Sequence, residues 1–187
     1  PRLKRPTLSV LTATLNPPPI SNNRFSLGTL QFSKKIGPGS LYTSIIPNLL
    51  VSGVADAIEK SPATRVYISN LMTQPGETDG LSVADCVRAI HLHAGRKLLD
   101  WVVINNQPVS PGVARRYRLR GAEPMPADLD GLQRLGLRCI FDTLLEEHGV
   151  VRHNPGRLTR LLLEEFVARP PRALDSVLPP ARTRSRH

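Results

Sequence analysis

One loop in the sequence has the residue types that can hold a phosphate group. It reads GPGSLYTS from residue 37. Because glycine has no Cβ, backbone N–H groups at Gly37 and Gly39 can approach an anion closely. The hydroxyl groups of Ser40, Thr43 and Ser44 add further hydrogen-bond donors. The segment therefore predicts a phosphate or pyrophosphate site, although Gly-Pro-Gly-Ser is also common turn chemistry, and the loop alone leaves both interpretations open.

A second polar loop, residues 70–80, lies between an apolar run and the start of an amphipathic segment. Polar loops carry function more often than buried elements do. Asn70 equally suits a purely structural role in the turn. No turn or cap predicted from the sequence needs Thr73, Gln74 or Glu77, so these side chains are candidates for contact with a ligand. The Glu77 carboxylate could accept from a ribose or sugar hydroxyl group, or hold a metal ion.

Three metal-ligand residue types, Cys86, His91 and His93, fall on one predicted helix. His91 and His93 point about 200° apart on a helix, so they cannot easily share an ion. Cys86 and His93 can face each other, but two ligands fall short of the three or four that a site needs. We therefore predict no metal site in this helix.

Other motifs with known chemistry are missing from the sequence. It contains no nucleophile elbow, no Walker loop and no complete GxGxxG, which gives no support to a self-contained hydrolase or kinase. The basic run at 115–120 is more typical of a solvated helix face than of a phosphate clamp.

Three short apolar runs, at residues 65–70, 101–106 and 137–142, predict buried strands. Helical patterns separate them, which favours parallel pairing because tight hairpins cannot join parallel strands. Open α/β sheets bind their ligands at the carboxyl ends of such strands, where the two polar loops belong. Since only three or four strands are evident, the sequence predicts an α/β fold with an incomplete, mainly parallel sheet and flanking helices.

The helices between these strands carry recognisable start and stop signals. Ser82 followed by Asp85 predicts a capping box, and Gly95 ends the same helix. The other predicted helices are one started or kinked at Pro47, a short one after Gly53, a basic one at 111–120, and one opened by Asn154 and Pro155.

Net charge is concentrated at the two ends of the sequence. The chain has 187 residues and a formal charge of +10. Residues 1–35 carry six basic and no acidic residues, and 168–187 carry five Arg and one Asp, whereas the two signs balance within 36–167. Proline-rich basic arms bury too little apolar surface to fold. We therefore predict a folded unit at 36–167 between arms at 1–35 and 168–187, and no nucleic-acid partner.

The cysteine pattern and the hydropathy predict a cellular location. Cys86 and Cys139 belong to no paired framework and are predicted to be free thiols, as is usual in a reducing compartment. No apolar run approaches the roughly 20 residues that span a bilayer, and the N-terminus has no signal-peptide pattern. We expect a cytoplasmic protein without membrane insertion.

Several long motifs together resemble one family. They are IGPGSLYTSIIPNLLVSGVADAI, VYISNLMTQPGETDGLSVADCVRAIHLHAG, WVVINN and DTLLEEHGVVRHNPGRL, in that order over about residues 36–167. They resemble the YvcK family of gluconeogenesis factors, within the CofD-like superfamily. The resemblance implies a Rossmann-like fold, binding of a UDP-activated sugar, and a regulatory role in carbon metabolism, cell-wall synthesis and cell shape. The nucleotide or phosphate site it implies comprises Gly37, Gly39, Ser40, Ser44, Asn70, Thr73, Gln74, Glu77 and Thr78. The hydroxyl group of Thr43 joins this candidate set from the chemistry of the loop alone.

The resemblance leaves two function classes open. YvcK-like proteins are regulatory binders, whereas CofD-like proteins are 2-phospho-L-lactate transferases that use a nucleotide donor and magnesium. PNLLV and NLMTQPGET resemble the YvcK branch and favour a nucleotide-sugar binder, so no cofactor is firmly implied. A purely structural module that forms a homo-oligomer is a third possibility.

Parts of the sequence depart from the family pattern. Nothing in residues 1–35 resembles the glycine-rich loop with which family members begin, and QFSKK replaces the apolar strand expected before GPGS. Cys86 stands where a histidine is usual. The chain is therefore predicted to hold only the C-terminal portion of the family's domain.

Overall fold

A sheet of four parallel strands forms the centre of the molecule. The computed structural model describes residues 33–167. The strands, paired in chain order and all parallel, are β1 (Ser33–Ile36), β2 (Thr64–Ile68), β3 (Trp101–Asn105) and β4 (Arg138–Asp142). The predicted α/β class with a mainly parallel sheet is confirmed.

Helices and one hairpin make up the rest of the described chain. A π-helical turn (Leu41–Ile45) continues into α1 (Ile46–Leu49), and α2 (Val54–Lys60) follows before β2. The later elements are α3 (Val83–Ala94), α4 (Pro111–Arg118), α5 (Leu129–Arg134), the antiparallel strands β5 (Leu145–His148) and β6 (Val150–His153), and α6 (Pro155–Phe166).

Alternate residues of the central strands pack on opposite faces of the sheet. Tyr67 and Val102 belong to a large core cluster with residues of α1, α3 and α5. Val66 and Val103 belong to a second cluster, which is covered by α6. The side chains of β2 and β3 are buried on both faces, which is why these two strands read as continuous apolar runs.

Local capping signals fix the helix bounds as expected. The Ser82 hydroxyl group accepts from the backbone N–H of Asp85, and the Asp85 carboxylate accepts from the backbone N–H of Ser82, so the capping box is present. Gly95 closes α3 in a left-handed conformation, with φ 70°. Asn154 accepts from the Arg157 backbone N–H at the start of α6.

Three features differ from the sequence prediction. β1 begins at Ser33, so the predicted boundary after residue 35 falls inside a strand, and the segment expected to lack a strand forms one by pairing with β2. The β5–β6 hairpin and α5 were not predicted, because their short mixed sequences lack a clear period. The remaining parts of both predicted arms, 1–32 and 168–187, lie outside the described residues.

The helices of residues 33–167 are short. Within that range no single helix has the length and apolar composition needed to cross a bilayer. The segments Leu41–Leu49 and Val54–Lys60 meet the composition criterion only as a pair bent by 75°. In the first of these, Leu41, Ile45 and Leu49 belong to the core.

Candidate functional site

An open cavity of about 620 Å³ lies where the loops after β1 and β2 leave the sheet. Four stretches of chain contribute to its walls: residues 38–40, residues 70–77, the end of α4 with the turn that follows it, and residues 151–153 of β6. The cavity therefore lies at the carboxyl ends of parallel strands, the usual place for a ligand in an open α/β sheet.

The structure brings six of the ten predicted site residues together at this cavity. The six that line it are Gly39, Ser40, Asn70, Thr73, Gln74 and Glu77. The other four, Gly37, Thr43, Ser44 and Thr78, lie outside its lining.

Gly37 has a structural reason to be glycine. Its φ is +83°, in the left-handed region that side chains rarely adopt. A Cβ at this position would lie 2.8 Å from the carbonyl oxygen of Ile68 at the end of β2. Gly37 thus lets the loop after β1 pass close to the neighbouring strand and keeps Gly39 and Ser40 beside the second loop.

The Glu77 carboxylate occupies the start of the helix that follows the GPGS loop. Glu77 Oε1 accepts hydrogen bonds from the backbone N–H groups of Tyr42, at 2.7 Å, and Thr43, at 3.1 Å. The Ser40 hydroxyl group donates to the same oxygen. Helix N-termini attract anions, and here the chain supplies the anion itself. The expectation that Glu77 has no structural role was wrong.

Thr73, Gln74 and Thr78 also stabilise the second loop. The backbone N–H of Gln74 donates to Thr78 Oγ1 at 2.8 Å, and Thr78 is fully buried. Thr73 and Glu123 exchange two hydrogen bonds, one through Thr73 Oγ1. Asn70 Nδ2 donates to the Gln74 side chain at 3.3 Å. These contacts hold the loop in one shape, so the expectation of no structural role for Thr73 and Gln74 was also wrong.

Two arginines that the sequence analysis did not select line the cavity. Arg120 follows α4 and Arg152 lies in β6. Both are exposed, and neither guanidinium group forms an ion pair or hydrogen bond with another residue in 33–167. Guanidinium groups bind phosphate and carboxylate oxygens in a bidentate manner, so this wall of the cavity can accept an anion.

Tyr117 joins the two elements that carry these arginines. Its phenolic oxygen accepts from the backbone N–H of Val151 at 2.8 Å, which fixes α4 against β6. Arg120 belongs to the basic run at 115–120, where the sequence pattern favoured a solvated face. Its position at a cavity follows from this long-range contact, which no local pattern reveals.

His153 adds an uncharged imidazole group to the same wall. Burial lowers the pKa of His153 below its ordinary value of 6.5, and a hydrogen bond with the Ser69 backbone opposes that shift. The Nε2 atom is buried and has no hydrogen-bond partner among the described residues. His153 is therefore neutral at pH 7, with one ring nitrogen unused.

The Cys86, His91 and His93 side chains each have a partner other than a metal. Burial raises the pKa of the Cys86 thiol to about 11, and Cys86 hydrogen bonds with Tyr67. His91 Nε2 accepts from the Leu99 backbone N–H at 3.3 Å, and His93 Nδ1 lies 2.8 Å from the Ala89 carbonyl oxygen. Cys86 and Cys139 are free thiols, as predicted.

Comparison with known proteins identifies the family. The family model for CofD, described as 2-phospho-L-lactate transferase CofD, matches residues 35–145. The chain belongs to the CofD family. The match includes β2, β3, β4 and both loops that line the cavity from the ends of β1 and β2.

Within the CofD family, this chain is similar to gluconeogenesis factors. It is 45% identical over 130 residues to the gluconeogenesis factor of Halalkalibacterium halodurans, covering 69% of this chain and 40% of that protein. It is 40% identical over 130 residues to that of Bacillus subtilis, covering 69% and 41% respectively. The resemblance to the YvcK family is confirmed, and the chain spans about two fifths of the length of these relatives.

A solved structure supports the fold assignment. The crystal structure of a UPF0052-family protein from Bacillus halodurans superposes with a TM-score of 0.67 at 43% identity, over 69% of this chain and 42% of that chain. The predicted Rossmann-like, CofD-like fold is therefore confirmed.

Proposed function

We propose that the cavity binds a nucleotide sugar, with the ligand's phosphate groups held by Arg120 and Arg152. One observation carries this proposal: two guanidinium groups without anionic partners in residues 33–167 line a single cavity at the carboxyl ends of the strands. A phosphate group offers the planar guanidinium group of each arginine two oxygen atoms for a bidentate pair of hydrogen bonds.

The size and composition of the cavity agree with a ligand larger than a free phosphate ion. A volume of about 620 Å³ falls within the range of roughly 300–1,000 Å³ that is usual for small-molecule sites. Leu71, Met72 and Pro75 provide apolar surface beside the polar groups. A nucleotide sugar combines charged phosphate groups with a flat base and hydroxyl-bearing sugars. It therefore offers partners to both the polar and the apolar residues of the cavity.

The family relationships favour a regulatory binder. The two curated relatives described above are named gluconeogenesis factors, which supports a role for this chain in carbon metabolism. As part of the same proposal, we assign the ligand as a UDP-sugar, the setting as the cytoplasm, and the wider role as control of cell-wall synthesis and cell shape.

The second candidate is a CofD-like 2-phospho-L-lactate transferase, which the description of the matching family model favours. Such a transferase would use magnesium. The cavity lining in the described residues includes one carboxylate, that of Glu77, and its Oε1 already accepts three hydrogen bonds. Mg²⁺ is commonly held by one or two carboxylates together with substrate phosphates, so Oε2 of Glu77 would be its single carboxylate ligand among these residues. The similarity to gluconeogenesis factors supports the binder over the transferase.

Isothermal titration calorimetry of the chain with UDP-N-acetylglucosamine tests the proposal, with UMP and GDP as comparison ligands. Saturable binding that is tighter for the UDP-sugar than for UMP and GDP is expected. A folded chain that binds none of the three would contradict it. Magnesium-dependent transfer of a phospholactyl group from a nucleotide donor to an acceptor hydroxyl group, with release of the nucleotide, would instead support the transferase.

A further inference from the structure

The two carboxylate oxygens of Glu77 have different surroundings. Oε1 accepts from the Tyr42 and Thr43 backbone N–H groups and from the Ser40 hydroxyl group. Oε2 makes no hydrogen bond or ion pair with any residue in 33–167, and Glu77 lines the cavity. Three donors to one oxygen fix the orientation of the whole carboxylate group. Oε2 is therefore held in a fixed position, and no residue in 33–167 donates a hydrogen bond to it.

This arrangement changes the role expected for the GPGS loop. The backbone N–H groups of Tyr42 and Thr43 are the donors that a phosphate at this helix start would need, and Glu77 already occupies them. A second anion beside the carboxylate would be repelled. The phosphate groups of a ligand are therefore directed to the wall with Arg120 and Arg152, and the wall with Glu77 is left for a part of the ligand that donates hydrogen bonds.

We infer that Glu77 is a specificity-determining residue that accepts, through Oε2, a hydrogen bond from a hydroxyl group of the nucleotide sugar. This inference rests on the proposed function and adds the orientation of the ligand. A hydroxyl donor to a fixed carboxylate forms a charge-assisted hydrogen bond, which is stronger than one between neutral groups. The hydroxyl group belongs either to the hexose or to the ribose, and ligands that lack one or the other distinguish these sources.

The informative variant is Glu77→Gln, because its amide oxygen can still accept from Tyr42 and Thr43 while the negative charge is lost. The amide NH2 then takes the place of Oε2 and can only donate to the hydroxyl group. We expect the affinity for UDP-N-acetylglucosamine to fall about fivefold, the loss expected when a charge-assisted hydrogen bond is replaced by a neutral one. Its affinity for inorganic pyrophosphate should stay equal or rise, because a repulsive charge has been removed. If Glu77 only stabilised the loop, its substitution would lower the affinity for both ligands together.

Titration calorimetry of the full chain should compare UDP-N-acetylglucosamine, UDP, 2′,3′-dideoxy-UDP and pyrophosphate. A loss confined to the UDP-sugar assigns the hydroxyl group to the hexose; a loss for UDP that is absent for dideoxy-UDP assigns it to the ribose. Glu59→Gln is the matched control, because Glu59 pairs with Arg96 away from the cavity. Equal losses for pyrophosphate and the UDP-sugar, or an unchanged affinity for the UDP-sugar, would overturn the inference.

Glu77→Ala provides a second variant with a different expectation. It removes both oxygens and frees the Tyr42 and Thr43 N–H groups, so pyrophosphate should bind more tightly while the preference for the UDP-sugar over pyrophosphate is lost. Retention of the wild-type preference in a folded Glu77→Ala protein would also overturn the inference. If wild-type chain binds no nucleotide, the proposed function itself fails, and this result is distinct from a failure of Glu77 alone.

Discussion

The Ser40 hydroxyl group donates a hydrogen bond to the carboxylate of Glu77, 37 residues away in sequence. This contact joins the loop after β1 to the loop after β2 and connects the two segments that the sequence singled out as candidates. It also brings both residues into the lining of the same cavity. The paired loops are therefore one structural unit.

Replacing Ser40 by Ala should weaken this unit. The substitution removes one donor to Glu77 and the side-chain cap that accepts from the Thr43 backbone N–H. We expect the free energy of unfolding to fall by about 1–2 kcal/mol, measured by urea denaturation. Ser44→Ala is the control, because Ser44 is exposed and lies outside the cavity lining. Equal stability of the two variants would contradict this role for Ser40.

Replacing Gly37 by Ala should be more costly than the same change at Gly76. Both glycines have positive φ, +83° and +78°, but only at Gly37 would the new Cβ meet the Ile68 carbonyl oxygen, at 2.8 Å. The expected loss in free energy of unfolding is roughly 2–4 kcal/mol for Gly37→Ala and about 1 kcal/mol for Gly76→Ala. Losses of the same size would mean that the close approach to β2 costs nothing.

Replacing Thr78 by Val tests the hydrogen bond inside the second loop. Val fills nearly the same volume as the buried Thr78 side chain but leaves the Gln74 backbone N–H without its acceptor. The free energy of unfolding should fall by about 1–3 kcal/mol. Thr159→Val is the control, because Thr159 is exposed on α6. Thermal or urea denaturation measures both, and a Thr78→Val protein as stable as wild type would refute the assignment.

The stability of the chain should decline as the pH falls through the histidine range. Burial lowers the pKa values of His91 and His153 below 6.5, so the unfolded state binds more protons than the folded state once the pH drops below that value. The neutral rings make their full contribution to the free energy of unfolding above about pH 7. That contribution is lost as the pH falls towards the pKa values that the two histidines have in the folded state. His153→Gln should reduce the decline measured between about pH 7 and 5. A decline identical to wild type would exclude His153 as a source.

Local signals predicted much of the fold. The capping box of Ser82 and Asp85, and the cap at Asn154 before Pro155, act within one helical turn and were predicted correctly. The apolar runs of β2 and β3 were recognised because both faces of these strands are buried. β1 was missed because its sequence, SKKI, forms a strand through pairing with β2 and has little apolar character of its own.

The arginine wall of the candidate site could not have been predicted from local sequence signals. Arg120 and Arg152 reach the cavity because Tyr117 fixes α4 against β6, a contact that spans 34 residues. Glu77 was selected from its residue type, but its partners Ser40, Tyr42 and Thr43 lie in another loop. Sequence patterns indicate which residues are available, whereas the packing of distant elements decides which of them meet.

The most direct test of the proposed site is calorimetric titration of UDP-N-acetylglucosamine into the wild-type chain, the Arg120→Gln/Arg152→Gln variant and an Arg115→Gln control. Arg115 lies on α4 and is exposed outside the cavity lining. Loss of two charge-assisted contacts predicts affinity at least about 100-fold weaker in the double variant, with wild-type affinity retained in the control. Wild-type affinity in a folded double variant would contradict the placement of the phosphate groups at these two arginines.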